Sequence, residues 1–180
     1  MQGVVTLLDD RHYARVQAIW EELEQKFEVR GMFVTQFPHF SYQVAEAYDD
    51  LACEAGLREL AARTRPFRVR TAGLGIFNVA NPVLHVPLVR SPQLFELHRE
   101  IWHGLGHPTP SPVTHYYHPD EWAPHVTLAQ GDIDADRLAE VVRFLGRRNF
   151  HWEITVGNLA IIYDTGSEQG VRCRFDFEGE

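Results

Sequence analysis

Two stretches of the chain alternate with the period of a half-buried strand. His39, Ser41 and Gln43 alternate with Phe40, Tyr42 and Val44, and His125, Thr127 and Ala129 alternate with Val126 and Leu128. Each stretch follows an apolar strand and an amphipathic helix. Val4 to Leu8 predicts a strand, and Val16, Ile19, Trp20, Leu23 and Phe27 recur at helical spacing behind Asp9 and Asp10. Val83 to Val89 predicts a second strand, and Leu94, Leu97, Ile101, Trp102 and Leu105 a second helix, opened by Ser91 as cap and Pro92 in the first turn. Both helices carry the pattern I-W-x-x-L, at Ile19-Trp20-Leu23 and Ile101-Trp102-Leu105.

The order goes on matching after each histidine. A helix near Asp50 with Leu57 and Leu60 inward precedes a strand carrying Phe67, Val69, Leu74, Ile76 and Phe77. A helix near Asp134 with Leu138, Val142 and Leu145 precedes strands carrying Trp152, Ile154, Leu159, Ile161 and Ile162. A shift of 85 lays Leu57 on Val142, Phe67 on Trp152 and Val69 on Ile154, while the histidines differ by 125 − 39 = 86. The pattern predicts one α+β domain over 1–180, made of two half-repeats (about 3–80 and 81–164) and a C-terminal strand. Duplicated units pack about a pseudo-two-fold axis, so we expect two lobes, each a mainly antiparallel sheet with outer helices, around a central cleft.

Composition narrows the function. The 180 residues, 44% hydrophobic, suffice for one packed core, and the net charge of −8 argues against a protein that grips long duplex nucleic acid through many phosphate contacts. A nucleotide or a single RNA end stays open as a partner. Cys53 and Cys173 show no CxxC spacing and read as packing residues in a reducing compartment. GVVTLLDD turns acidic too early for a signal peptide, and no apolar run approaches the ~18 residues of a membrane span. The expectation is a soluble, cytoplasmic monomer.

On a strand, residues i and i+2 share a face about 7 Å apart, so the imidazole and hydroxyl of each H-x-[ST] triplet can point at one small anion. With 10 His, and 13 Ser plus Thr, in 180 residues, chance predicts ~0.7 such triplets, and the chain has three. The third, His107-Pro108-Thr109, lies among Pro108, Pro110 and Pro112 and cannot be an internal strand. Other constellations are weaker. His103 and His107 are flanked by Gly104, Gly106 and Pro108, which break a helix, and no HExxH occurs, so no metal site is expected. Gly73-Leu74-Gly75 reads as a strand kink near the cleft. The loop from Pro108 to Trp122 is either a lid or a surface loop. Phe37, Tyr116, Tyr117 and Trp122 are candidates to stack on a base, with loop packing as the alternative. No cofactor is expected.

HFSY and HVTL, together with EWAPHVTLAQGDI and GLGIFNVANPVLHVPLV, resemble the two-histidine (2H) phosphoesterase superfamily, in its 2′-5′ RNA ligase-like, cyclic phosphodiesterase branch. The resemblance spans most of residues 3 to 164, with Ser41 where many members carry Thr. It implies metal-independent opening of 2′,3′-cyclic phosphates of nucleotides or RNA ends, and 2′-5′ joining as a further activity. It also implies His39 as proton donor to the leaving oxygen and His125 as base. Ser41 and Thr127 would bind the phosphoryl oxygens, and Phe37 and Tyr117 the rest of the substrate. A lysyl-nucleotide ligase is disfavoured, because Lys26 is the sole lysine and lies far from either motif. Two alternatives stand: a cleft that binds a nucleotide or RNA end without turnover, and a metal-dependent hydrolase using the surplus histidines.

Overall fold

The structure is a computed structural model that describes residues 1–105 and 108–179. Its elements run β1 (Gln2–Leu7), α1 (Asp10–Phe27), β2 (His39–Ala45), α2 (Asp50–Arg63), β3 (Phe67–Arg70), β4 (Gly75–Phe77), β5 (Val83–Pro87), α3 (Pro92–Gly104), β6 (His125–Ala129), α4 (Ala135–Leu145), β7 (Glu153–Val156), β8 (Asn158–Asp164) and β9 (Gln169–Asp176). Among the described residues, four α-helices therefore form where the periodicity places them. Asp9, Asp49, Ser91 and Asp134 cap them, each side chain accepting the backbone N–H three residues on. His107, in the third triplet, lies outside the described residues.

Every strand pairing is antiparallel. β2-β1-β8-β9 form one sheet, β4-β5-β6 a second, and β3-β7 a two-stranded link. The two lobes do not follow the halves of the chain, because β8 joins β1 and β4 joins β5, so each sheet borrows from the other half. In the link Val69 faces Ile154, and 154 − 69 = 85, the offset that superposes the halves in sequence. Residues predicted as one strand over 67–77 divide into β3 and β4, which belong to different sheets. The chain turns between them at Gly73, whose φ of +88° is a conformation that favours glycine.

What holds the two motif strands in register is their apolar face. Phe40, Tyr42, Val126 and Leu128 are fully buried in the common core. Each such side chain contributes about 1.5–3 kcal/mol by leaving water. A slip of one residue would bury His39 and His125 and expose those four, so the core fixes which side chains reach the cleft. The alternation in β2 is nevertheless interrupted. Register shifts between Val4 and Val5, so Gln43 pairs with core residue Val4 and is buried, while Val44 lines the cleft. Only His39 and Ser41 of the predicted polar trio face the site.

Candidate active site

His39, Ser41, His125, Thr127 and Tyr117 line one cleft of about 260 Å³, where β2 and β6 approach each other. Thr35, Gln130 and Asp164 add polar groups to its wall. One ring nitrogen of each histidine is committed. His39 Nδ1 bonds the carbonyl of Phe37, and His125 Nδ1 bonds that of Ala123 at 2.7 Å. A carbonyl only accepts, so both Nδ1 atoms carry the hydrogen, and both Nε2 atoms are left to take up or release a proton.

The surroundings favour neutral rings. Burial pushes the His39 pKa down to about 4, with the Phe37 carbonyl opposing and the nearby His125 adding to the fall. Burial also lowers His125, and its bond to Ala123 partly offsets this. Burial raises the Tyr117 pKa, and the Ser41 side chain nearby partly opposes this. Among the described residues no three His, Cys, Asp or Glu side chains gather as a metal-binding group.

Two indoles pin the motif strands from behind, which the sequence did not reveal. Trp20 Nε1 donates to the Thr127 carbonyl at 3.2 Å, and Trp122 Nε1 donates to the Ser41 carbonyl at 2.9 Å. The shared I-W-x-x-L pattern pointed to Trp20 and Trp102, but the partner in this role is Trp122, which comes from the long loop. That loop is stitched to β2. Thr114 Oγ1 donates to the Val44 carbonyl at 2.8 Å, and His98 Nε2 is shared between the Tyr42 and Tyr117 carbonyls at 3.0 Å each. Trp122 stacks on His98 at 3.9 Å and 9° and is buried, so it packs the loop and offers no face to a ligand.

Two further candidates lie away from the cleft wall. The Phe37 side chain is not among the cleft-lining groups. It packs on Val5, Leu7, Ala160 and Ile162, and what it brings to the site is its carbonyl. Tyr116 is 59% exposed and likewise absent from the cleft wall. Of the four aromatic candidates, Tyr117 alone lines the cleft. His85, which the alternation pattern did not single out, stands beside His125 with ring centroids 5.0 Å apart. Its position on the same face as Thr127 across β5–β6 was the available signal.

The buried histidines carry a stability cost in acid. His39, His85 and His98 are each lowered from 6.5 to about 4, chiefly by burial. Between those values the unfolded chain binds protons that the folded chain refuses. Stability is therefore full above pH 6.5 and falls on acidification, by about 1.4 kcal/mol per pH unit for each such histidine. Urea unfolding at pH 7.5 and pH 5 should show a clearly lower midpoint at pH 5. Equal midpoints would mean that these rings are not held neutral by the fold.

Comparison with known proteins agrees with this architecture. TT0787 of Thermus thermophilus, a solved structure, shares the fold with a TM-score of 0.63 at 18% identity, covering 99% of this chain and 98% of that one. A Bacillus cereus (strain B4264) protein named "Putative phosphoesterase" is 28% identical over 131 residues, 70% of each chain. A Bacillus cytotoxicus protein of the same description is 27% identical over 112 residues, 62% of this chain and 60% of that one. The model of the 2′-5′ RNA ligase superfamily matches residues 8–168, a span that includes both motif strands and most of the core, and the chain belongs to that superfamily.

Proposed function

We propose that this protein is a metal-independent phosphodiesterase that hydrolyses 2′,3′-cyclic phosphates of nucleotides or RNA ends, with His39 and His125 dividing the proton transfers. One observation carries the reading: each histidine has its Nδ1 hydrogen fixed on a backbone carbonyl, and both line the cleft that holds Ser41 and Thr127. A water attacks phosphorus as its proton passes to His125 Nε2. The P–O bond to one ribose oxygen breaks as that oxygen takes a proton from His39 Nε2, leaving a phosphomonoester and a free hydroxyl. Ser41, Thr127 and the Tyr117 phenol beside them donate to the non-bridging oxygens as charge shifts onto them. The substrate's own negative charge favours the protonated His39 that burial alone disfavours.

The same transfers, with a ribose 5′-hydroxyl attacking in place of water and the 3′-oxygen leaving with the proton from His39, would form a 2′-5′ linkage. Among the described residues no Arg or Lys lines the cleft, which suits one terminal phosphate better than a track of backbone phosphates. Among the described residues no helix is long and apolar enough to cross a membrane.

The test is turnover of a panel of 2′,3′-cyclic nucleotides with and without EDTA. The expected result is a phosphomonoester formed at the same rate in both. Tight binding with no product would make the cleft a recognition module. Activity lost in EDTA and restored by a divalent cation would make the protein a metal-dependent hydrolase.

A further inference from the structure

The two motif strands sit in closely matched frames. In β1–β2, Leu7 faces His39 and Val5 faces Ser41, with the register shift just before Val5. In β5–β6, Pro87 faces His125 and His85 faces Thr127, with the register shift just before His85. Val5 and His85 thus hold the same place beside the two hydroxyl residues, and there the pseudo-symmetry breaks. Val5 belongs to a small apolar cluster with Leu7, Ala160 and Ile162. His85 instead stacks on Phe77 at 4.0 Å and 23°, and meets the His125 ring at 5.0 Å and 61°. Phe77 also presents its ring to His125 at 4.8 Å and 84°.

The position of His85 is built for a ring. Its Nδ1 bonds the Val83 carbonyl at 3.3 Å, the same i−2 bond that fixes His39 and His125, so its Nε2 carries no hydrogen. That Nε2 lies over Gly75, where a Cβ would come within 2.5 Å of it, so glycine leaves the room the ring occupies. His85 is 5% exposed, and burial lowers its pKa to about 4, with His125 adding to the fall. The titratable groups that bear on this corner are His85 on β5 and His39 on β2, both of which His125 disfavours as cations. A proton on His125 therefore arrives beside two imidazoles and a phenyl ring. No aromatic ring flanks His39 among the described residues in the way Phe77 and His85 flank His125.

We propose that His85 is a positioning residue for His125: with Phe77 it walls the ring on two sides, holds Nε2 toward the cleft, and makes His125 the base of an otherwise symmetric pair. This rests on the two-histidine reading above. The wall restricts rotation about the His125 side chain, so the reactive nitrogen is already in place when the substrate arrives. Its apolar character suits a ring that starts neutral and gains its proton only as the water attacks.

The test compares His85→Val, which installs the residue found at the equivalent place in the other lobe, with His85→Phe, which keeps the ring and removes the nitrogens. His85→Val should lower kcat on a 2′,3′-cyclic nucleotide by at least about tenfold with KM within about twofold, because the loss falls on the reacting geometry. In the free protein it should also raise the His125 titration seen at the ring Cε1–H by NMR, while that of His39 stays closer to its original value. His85→Phe should restore most of kcat and the original His125 titration. If His85→Val fails to fold, His85→Phe decides alone: near wild-type turnover supports the wall, and a fall as large as that of His125→Ala overturns it. Wild-type kinetics and titration in His85→Val overturn the proposal while leaving the two-histidine reading intact. Full activity in the His125→Ala control would instead overturn that reading itself.

Discussion

Alanine at His39 or at His125 is expected to lower turnover of a 2′,3′-cyclic nucleotide by about 10²- to 10⁴-fold, the range typical of losing a general acid or base. Neither change should unfold the protein. Both rings stand at the cleft side of their strands, while the anchoring side chains Phe40, Tyr42, Val126 and Leu128 lie on the other side. The two losses should not multiply. Acid and base act in one step, so the double variant should be only modestly slower than either single one. His107→Ala, in the third H-x-[ST] triplet, is the control and should be nearly silent. Steady-state assays with matched circular dichroism spectra check all four variants. Full activity in either single variant would remove that histidine from the reaction.

The parts of the fold legible in the sequence are those set by local periodicity. α1 and α3 follow from apolar positions at helical spacing behind a capping residue, and β2 and β6 from strict alternation. The motif histidines and hydroxyls meet in one cleft because that alternation puts each pair on one strand face and the core holds the other face. The duplicated order of elements gave an offset of 85, and at the link Val69 pairs with Ile154, its counterpart at that offset.

What stayed hidden depends on contacts distant in sequence. The bulge that turns Gln43 inward and Val44 outward is a property of the β1–β2 pair, which neither strand announces alone. The exchange of β4 and β8 between sheets arises from turns such as that at Gly73, where the chain crosses from one lobe to the other. Phe37 looked like a stacking residue because it precedes the first motif. Its side chain instead found apolar partners on β1 and β8, leaving its carbonyl to orient His39. Trp122 and Trp20 act through carbonyls of residues 81 and 107 positions away, a relation no spacing encodes. His85 was hidden in an apolar run, and only the β5–β6 register shows it beside Thr127.

The division of labour between the two histidines separates most sharply when the leaving group no longer needs a proton. A p-nitrophenyl phosphodiester departs as a stable phenolate, so general-acid help contributes little, whereas attack by water still requires a base. The most direct measurement of the central claim is therefore the rate of wild type, His39→Ala and His125→Ala on this ester and on a 2′,3′-cyclic nucleotide, in EDTA. The account predicts that His39→Ala is severely slowed on the cyclic nucleotide yet within about tenfold of wild type on the ester, while His125→Ala is slowed on both. Equal defects of the two variants on both substrates would contradict a split between acid and base.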